Sequence, residues 1–475
     1  MTSPSVAAVV LAAGAGSRFG GGKLLASLEG RPVLQHVLDR LAEAGCAEVV
    51  VVLGTGRDAE AIEAAIDWRR ERRVRNPDPG AGLSGSLRIG IGSLHDGIER
   101  ALIVLGDQPR VPIEAIRGLV DAPVDASRPI TVPRYTRDDA RNPVLVERAG
   151  FGLIDEATGD RGLGPIIAAH PEHVREVALD VPGGNPDVDT RADLVELLET
   201  SWAARVRANA EQVDRFREIP DGTDFYAPVT GLFLADPTRT DEPALDVLLR
   251  LVRPGERWLD VGAGAGRYAL PIARALAPSG GEVVAVDVSP SMLAALRELA
   301  AAHDIHNVRS VETRWPPAEL APFMADVALV AHVGYDIEAI GPFVIAMEAA
   351  AGRLCVAMLM ERQPSSIADV FWPPVHGESR VALPALPEFV ELLRARGLRP
   401  TVERVEREPR RFASRAELEG FLRRQVWVGE GSAADHRFQA ALDELVEIDP
   451  NGRAGLRDQR PLPIGIVTWV PARTA

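Results

Sequence analysis

The stretch "VAAVVLAAGAGSRFGGGKLL", Val6–Leu25, decides the fold of the N-terminal half of this chain. Its first seven residues are apolar, and an apolar run of that length suits a strand buried on both faces. Glycines at 14, 16, 20, 21 and 22 then interrupt it. Glycine lets a backbone come close to an anion and present its N–H groups to it. The amphipathic run "RPVLQHVLDRLAEAG" (31–45) follows, and then the apolar "EVVVVLG" (48–54). Strand, glycine loop, helix and strand in that order imply a parallel sheet covered on both faces.

The same grammar returns 250 residues later in "RWLDVGAGAGRYALPIARALA" (257–277), followed by "EVVAVDV" (282–288). Two nucleating loops in 475 residues imply two domains. The expected architecture is α/β: two Rossmann-like three-layer αβα domains with mainly parallel sheets. The junction is expected near Thr200, after a helical stretch and before the turn "IPDGTDFY", dividing the chain into 1–198 and 199–475. Beyond Arg362 a proline-rich stretch, a helix and a last strand, "LPIGIVTWVPA", read as an extension of the second domain.

Composition excludes several classes. The formal charge is −15, so the chain is not built as a general nucleic-acid binder. The two cysteines, Cys46 and Cys355, form no zinc motif or disulfide framework. No apolar run reaches the roughly 18 residues of a membrane span, and the start lacks a basic n-region. A cytoplasmic protein without membrane contact is expected. Of 53 basic residues, one alone is a lysine, Lys23, and it sits in the glycine loop.

Several phosphate loops share this logic, and spacing separates them. A dinucleotide fingerprint GxGxxG fits at Gly14 and Gly16 but meets Phe19 where the third glycine belongs. A Walker loop needs Ser or Thr after its lysine, and Lys23 is followed by Leu24. The segment from Leu11 to Leu25 instead resembles the "LAAGxGxRxGxxKxLL" signature of MobA-like nucleotidyltransferases. "NPDPGAGLSGSLRIGI" (76–91), "VLGDQPRV" (104–111), "RNPVLVER" (141–148), "TGDRGLGPII" (158–167) and "DVDTRADL" (187–194) complete the set in order. The resemblance is to the branch that holds molybdenum cofactor cytidylyltransferases, and it spans about 1–198.

That resemblance implies transfer of a nucleotidyl group from an NTP to a phosphorylated acceptor such as molybdopterin, with release of diphosphate. "LAAG" in place of "LAGG" points to a pyrimidine nucleotide, CTP. Leu11, Ala12, Ala13, Gly14, Gly16, Gly82, Ser84 and Ser86 would bind the nucleotide. Asp107, with Asp187 or Asp189, would hold Mg²⁺ at the α-phosphate. Arg18 would grip the leaving diphosphate, where bidentate geometry suits guanidinium. Lys23 would place a compact ammonium on the transferring phosphoryl group. A molybdoenzyme or its chaperone is the partner such an activity implies. The bland readings are a solvated Lys23, Asp107 as a cap before Pro109, and Asp187 and Asp189 as turn and capping residues.

The second loop places Gly262, Gly264 and Gly266 at GxGxG spacing after Asp260, and the next strand ends in Asp287. An acidic group there suits hydrogen bonding to ribose hydroxyls. With "VSPSML" after it, this segment resembles class I S-adenosylmethionine-dependent methyltransferases over about 225–362. Asp260, the three glycines and Asp287 would bind S-adenosyl-L-methionine, with adenine stacked on Trp315 and the tail as a substrate cap. His332 and Tyr335 fall where groups facing the methyl acceptor often lie, although packing at a strand end explains His332 equally well. Two rival readings remain: an NAD(P)H-dependent oxidoreductase of MobA-like fold, and a non-catalytic sensor binding nucleotide and S-adenosylmethionine.

Overall fold

A computed structural model describes residues 5–14, 16–183, 186–219, 224 and 227–472. Ala15 of the first glycine loop and most of the "IPDGTDFY" turn lie outside the described residues. The chain divides into two compact units, 1–197 and 198–475.

The first unit is a seven-stranded sheet. Its strands are β1 (Val6–Ala12), β4 (Glu48–Leu53), β5 (Arg72–Arg75), β6 (Arg100–Leu105), β7 (Ile130–Arg134), β8 (Val144–Glu147) and β9 (Val174–Ala178). The two-residue strands β2 (Ser27–Leu28) and β3 (Arg31–Pro32) form a separate small ribbon. The sheet order is β5-β4-β1-β6-β8-β7-β9, and β8 alone runs against its neighbours. All seven residues of β1 are buried. Val6, Ala8, Val10 and Ala12 join a core with Leu34, Val37, Leu38 and Leu41 of helix α1 (Val33–Ala44). Val9 and Leu11 join the opposite core, with Leu87 of α3 (Leu83–Gly92). Alternation on a pleated strand therefore feeds two helical layers from one sheet. Each fully buried Val or Leu contributes about 1.5–3 kcal/mol over an exposed one. The shorter helices α2 (Arg57–Ala65), α4 (Ile113–Val120) and α5 (Gly164–Ala169) complete these layers, and α6 (Arg191–Phe216) follows.

The second unit holds another seven-stranded sheet. Its members are β10 (Arg257–Val261), β11 (Glu282–Asp287), β12 (Val308–Glu312), β13 (Ala325–Ala331), β14 (Ala351–Met360), β15 (Thr401–Val405) and β18 (Ile464–Trp469). The order is β12-β11-β10-β13-β14-β18-β15, with β18 antiparallel to both neighbours. Helices α7 (Pro243–Leu251), α8 (Ala269–Leu276) and α9 (Pro290–Ala302) pack with one face of the sheet or its edge strands, while α10 (Ile340–Ala350) packs on β13 and β14.

The extension contains more than the helix and strand expected. Helices α11 (Trp372–His376), α13 (Arg415–Val426) and α14 (Ala433–Leu445) surround a hydrophobic core of their own. Phe371, Trp372, Phe412, Leu422, Phe438 and Leu442 fill it. The ribbon of β16 (Val446–Ile448) and β17 (Ala454–Leu456) closes this cap, and α12 (Leu386–Ala395) lies between α11 and β15 in sequence.

In both sheets the first strand lies where the order reverses, β1 between β4 and β6 and β10 between β11 and β13. Ligands of open α/β sheets bind in the crevice at the carboxyl ends of such strands.

Candidate functional sites

In the first unit the glycine loop leaves β1 and returns Lys23 to the carboxyl edge of the sheet. Gly16 has φ +57°, and a Cβ there would stand 3.1 Å from Lys23 Cγ. A bare backbone at 16 thus makes room for the lysine stem. Lys23 Nζ donates to Asp107 Oδ2 at 2.5 Å and to Asp189 Oδ1 at 3.2 Å. Arg18 Nη1 pairs with Asp189 Oδ2 at 2.9 Å. Asp187 Oδ1 accepts from Gln108 Nε2 at 2.5 Å, and Val188 N donates to the Asp107 carbonyl at 3.0 Å. The fold therefore gathers Lys23, Arg18, Asp107, Asp187 and Asp189 from three separate segments.

Burial by itself lowers the pKa of Lys23, but Asp107 and Asp189 outweigh it and hold the ammonium above its usual value. Asp187 is pushed up chiefly by burial, with Asp107 and Asp189 adding to it and the Gln108 amide opposing. Three carboxylates crowded around one ammonium are a hard oxygen-donor set, and their mutual repulsion is what a divalent cation relieves. These residues fit such a cation. The capping reading of Asp187 and Asp189 does not hold, because Asp193 supplies the cap. Its Oδ2 accepts from the Asp189 and Thr190 N–H groups, and the Asp193 N–H donates in turn to Thr190 Oγ1. Thr190-x-x-Asp193 is a capping box legible in the sequence but passed over there.

The nucleotide segment needs correction at two positions. Ser84 and Ser86 are buried, and the Ser86 hydroxyl accepts from Asn76 Nδ2 at 2.9 Å. Neither side chain lines an open surface, and the bond from Asn76 to Ser86 holds the "NPDPGAGLSGS" segment in shape. Gly82 stands at the N-cap of α3. Leu11, Ala12 and Ala13 are buried at the end of β1, and the Leu11 carbonyl is taken by Gly106 N at 3.0 Å. Gly14 is exposed, and with Gly22, Lys23, Leu24 and Asp58 it lines a small cleft.

In the second unit Gly262, Gly264 and Gly266 all have positive φ. A Cβ at Gly262 would stand 2.5 Å from Val333 Cγ2, so the loop lies hard against the end of β13. Asp287 accepts from Gly264 N at 2.8 Å through Oδ2 and from Ser289 N at 2.9 Å through Oδ1. It thereby fixes the loop, while each oxygen keeps a lone pair for a ligand hydroxyl. Asp260 is buried, with no partner reaching its Oδ1. Burial, with the charge of Asp287 beside it, raises its pKa to about 7. An orphaned buried oxygen at the foot of the glycine loop fits a polar ligand such as S-adenosylmethionine.

Trp315 is misplaced by the sequence reading. Its ring is buried and T-shaped to Phe323, and its N–H donates to the Phe343 carbonyl at 3.2 Å. It belongs to the packing between layers and offers no face for adenine. Asp224, which the spacing did not single out, accepts from Ser289 Oγ and Ser291 N at the start of α9.

His332 follows β13 with φ +58°, an uncommon conformation for a residue with a side chain. Its N–H donates to the Met358 carbonyl at 2.8 Å, and Nδ1 is buried without a partner. Burial, with Arg407 and Arg267 adding, lowers its pKa to about 4, so the imidazole is neutral at pH 7. Tyr335 is buried, its hydroxyl accepting from Met360 N at 2.8 Å.

Residues 8–174 match the model of the MobA-like NTP transferase domain, and residues 259–339 match that of a methyltransferase domain. The chain carries a MobA-like NTP transferase domain followed by a methyltransferase domain.

The NTP transferase domain is 33% identical over 160 residues to the bifunctional protein GlmU of Rhizorhabdus wittichii. That match covers 33% of this chain and 34% of GlmU, so the chain spans about a third of that relative's length. Nicotine blue oxidoreductase of Paenarthrobacter nicotinovorans is 28% identical over 205 residues, covering 41% of this chain and 97% of that protein. Among solved structures, Rv0371c of Mycobacterium tuberculosis H37Rv is similar at 31% identity and TM-score 0.37, covering 42% of this chain and all of that one. Among the described residues of both domains, no helix is long and apolar enough to cross a membrane.

Proposed function

We propose that the NTP transferase domain moves a nucleotidyl group from an NTP, CTP in the first instance, to a phosphorylated acceptor of the molybdopterin class. The observation that carries this reading is Lys23 Nζ held between Asp107 and Asp189, with Arg18 on the far oxygen of Asp189. Asp107, with Asp187 and Asp189, would hold a divalent cation, Mg²⁺, which when bound supplies positive charge to the α-phosphate. The acceptor's phosphate oxygen attacks the α-phosphorus, the bond to the bridging oxygen breaks, and diphosphate leaves. Both reactants are anions, so the chain's contribution is positioning and charge stabilisation. Lys23 presents a compact ammonium, and Arg18, exposed at the rim, is placed to follow the departing diphosphate.

The methyltransferase domain is proposed to bind S-adenosylmethionine on the loop from Gly262 to Gly266, with Asp287 on the ribose hydroxyls. Asp260 supports that reading through its orphaned oxygen. A molybdoenzyme or its chaperone is the proposed recipient of the nucleotidyl product.

The test is incubation of the full chain with each NTP in turn, Mg²⁺ and molybdopterin, followed by mass analysis. A cytidylylated product and diphosphate are expected, both lost in Asp107→Ala. A product from no NTP would sink the proposal. The likeness to nicotine blue oxidoreductase favours a second reading, reduction with NADPH. NADPH oxidation without diphosphate release would establish it instead.

A further inference from the structure

We propose that the NTP transferase domain carries a second metal site, for a divalent transition ion of the Zn²⁺ type, built by His170, Glu172 and His173. It stands apart from the Asp107 carboxylates in sequence and in chemistry, with imidazole donors in place of carboxylates alone.

The geometry is local and specific. His170 caps the C-terminus of α5, and Pro171–His173 form one tight turn before β9. The His173 N–H donates to the His170 carbonyl at 3.0 Å, and the two imidazole centroids stand 5.8 Å apart. One ligand atom from each of the three residues lies within 4.8 Å of the others. Glu172 Oε1 is 3.6 Å from His170 Nδ1 and 3.9 Å from His173 Nε2. A tetrahedral zinc with bonds of about 2.0–2.2 Å sets its ligands roughly 3.3–3.6 Å apart. Closing the triad onto an ion therefore needs only small side-chain rotations.

The remaining ring nitrogens supply an independent observation. A metal-bound imidazole donates its other N–H to a carboxylate or a backbone carbonyl, which fixes the tautomer. His170 Nε2 faces Glu156 Oε2 at 2.9 Å, and His173 Nδ1 faces the Ser127 carbonyl at 3.4 Å. Each ring thus has an acceptor on one nitrogen and turns the other toward Glu172. Two imidazoles and a carboxylate with an open fourth position suit zinc and its neighbours better than magnesium.

The position suggests what the ion does. Glu156 precedes the "TGDRGLG" loop, and His170 follows the helix that loop leads into. That loop lies on the proposed nucleotide segment: Ser84 N donates to the Gly159 carbonyl at 3.1 Å, and Arg88 Nη1 to the Ala157 carbonyl at 2.7 Å. An ion on His170, with Glu156 holding that ring, clips the two ends of the loop together.

The experiment uses tag-free, metal-stripped full-length protein titrated with Co²⁺, whose visible bands distinguish a four-coordinate imidazole site from an all-oxygen octahedral one. One four-coordinate Co²⁺, displaced by Zn²⁺, is expected in the wild type and in Asp107→Ala. It should be absent from the His170→Ala/His173→Ala double variant. Glu156→Ala should weaken binding by about 10- to 100-fold. Trypsin cleavage after Arg161 should slow with Zn²⁺ in the wild type and not in the double variant. Absence of the band, or a band indifferent to the two histidines, overturns the site. Cleavage unaffected by bound Zn²⁺ overturns the clip.

Discussion

Lys23 Nζ lies 2.5 Å from Asp107 Oδ2, although 84 residues separate the two in the chain. The contact forms because β1 and β6 are parallel neighbours: Asp107 stands just past the end of β6, and the glycine loop after β1 brings Lys23 back to the same edge of the sheet. The Lys23 side chain is largely buried and its ammonium shared with Asp189, so its charge is placed and not merely present.

Placement makes the identity of the cation testable. Lys23→Arg keeps the charge but puts a planar, bulkier group beside Gly16 and between two carboxylates. Nucleotidyl transfer by this variant is expected to fall on the order of 10²-fold in kcat, about 2.7 kcal/mol. Nucleotide affinity should change far less, because the contact strengthens as charge develops in the transition state. Steady-state diphosphate release by Lys23→Arg and Lys23→Ala checks this, and an arginine variant at wild-type rate refutes it.

Asp287 anchors the second glycine loop through Gly264 N and Ser289 N and is the proposed acceptor for the ribose diol. Replacing it with alanine leaves both donors unpaired. Calorimetry on the full chain should show S-adenosylmethionine affinity weakened by about 1–3 kcal/mol. Equal affinities would remove Asp287 from the binding surface.

The buried Asp260 makes the stability of the methyltransferase domain depend on pH. Its folded pKa of about 7 stands above the ordinary carboxylate value, so the folded chain binds the extra proton between the two. The contribution is fully present below about pH 4 and is lost as pH rises through about 7, at up to roughly 1.4 kcal/mol per unit. Asp260→Asn should remove that slope and gain on the wild type at pH 8 relative to pH 5. Six of the seven tryptophans lie in 198–475, so urea unfolding followed by tryptophan fluorescence reads this domain. Parallel pH profiles for the two proteins would count against the buried charge.

Gly90 tests how closely α3 packs on the first sheet. Glycine inside a helix is ordinarily improved by alanine, by roughly 0.5–1 kcal/mol. Here a Cβ would run into Val9 Cγ1 of the central strand and stand 3.1 Å from Val52 Cγ2. Gly90→Ala should therefore destabilise the NTP transferase domain, by about 1–3 kcal/mol. A variant as stable as the wild type, or more so, in chemical unfolding followed by circular dichroism would show that the helix simply moves away.

Patterns confined to a few consecutive residues were readable from the sequence. A buried strand, a run of glycines and an acidic strand end impose their conformations over short distances, so both α/β sheets and both glycine loops could be anticipated. The order of motifs also pointed to Lys23, Arg18, Asp107, Asp187 and Asp189, which the fold brings together. What spacing did not contain was the direction in which a side chain spends its hydrogen bonds. Ser86 turned inward to Asn76, Trp315 to Phe343, and Gln108 to Asp187. The cap acquired a core from Ala368 to Leu456, with Val213 of α6 joining it, residues with little local periodicity in common. Glu156 met His170, fourteen residues on, across a loop and a helix. Local conformation is set by backbone sterics and apolar periodicity within one element. The partners of polar groups are set by desolvation once distant elements meet, and that was decided by the tertiary structure.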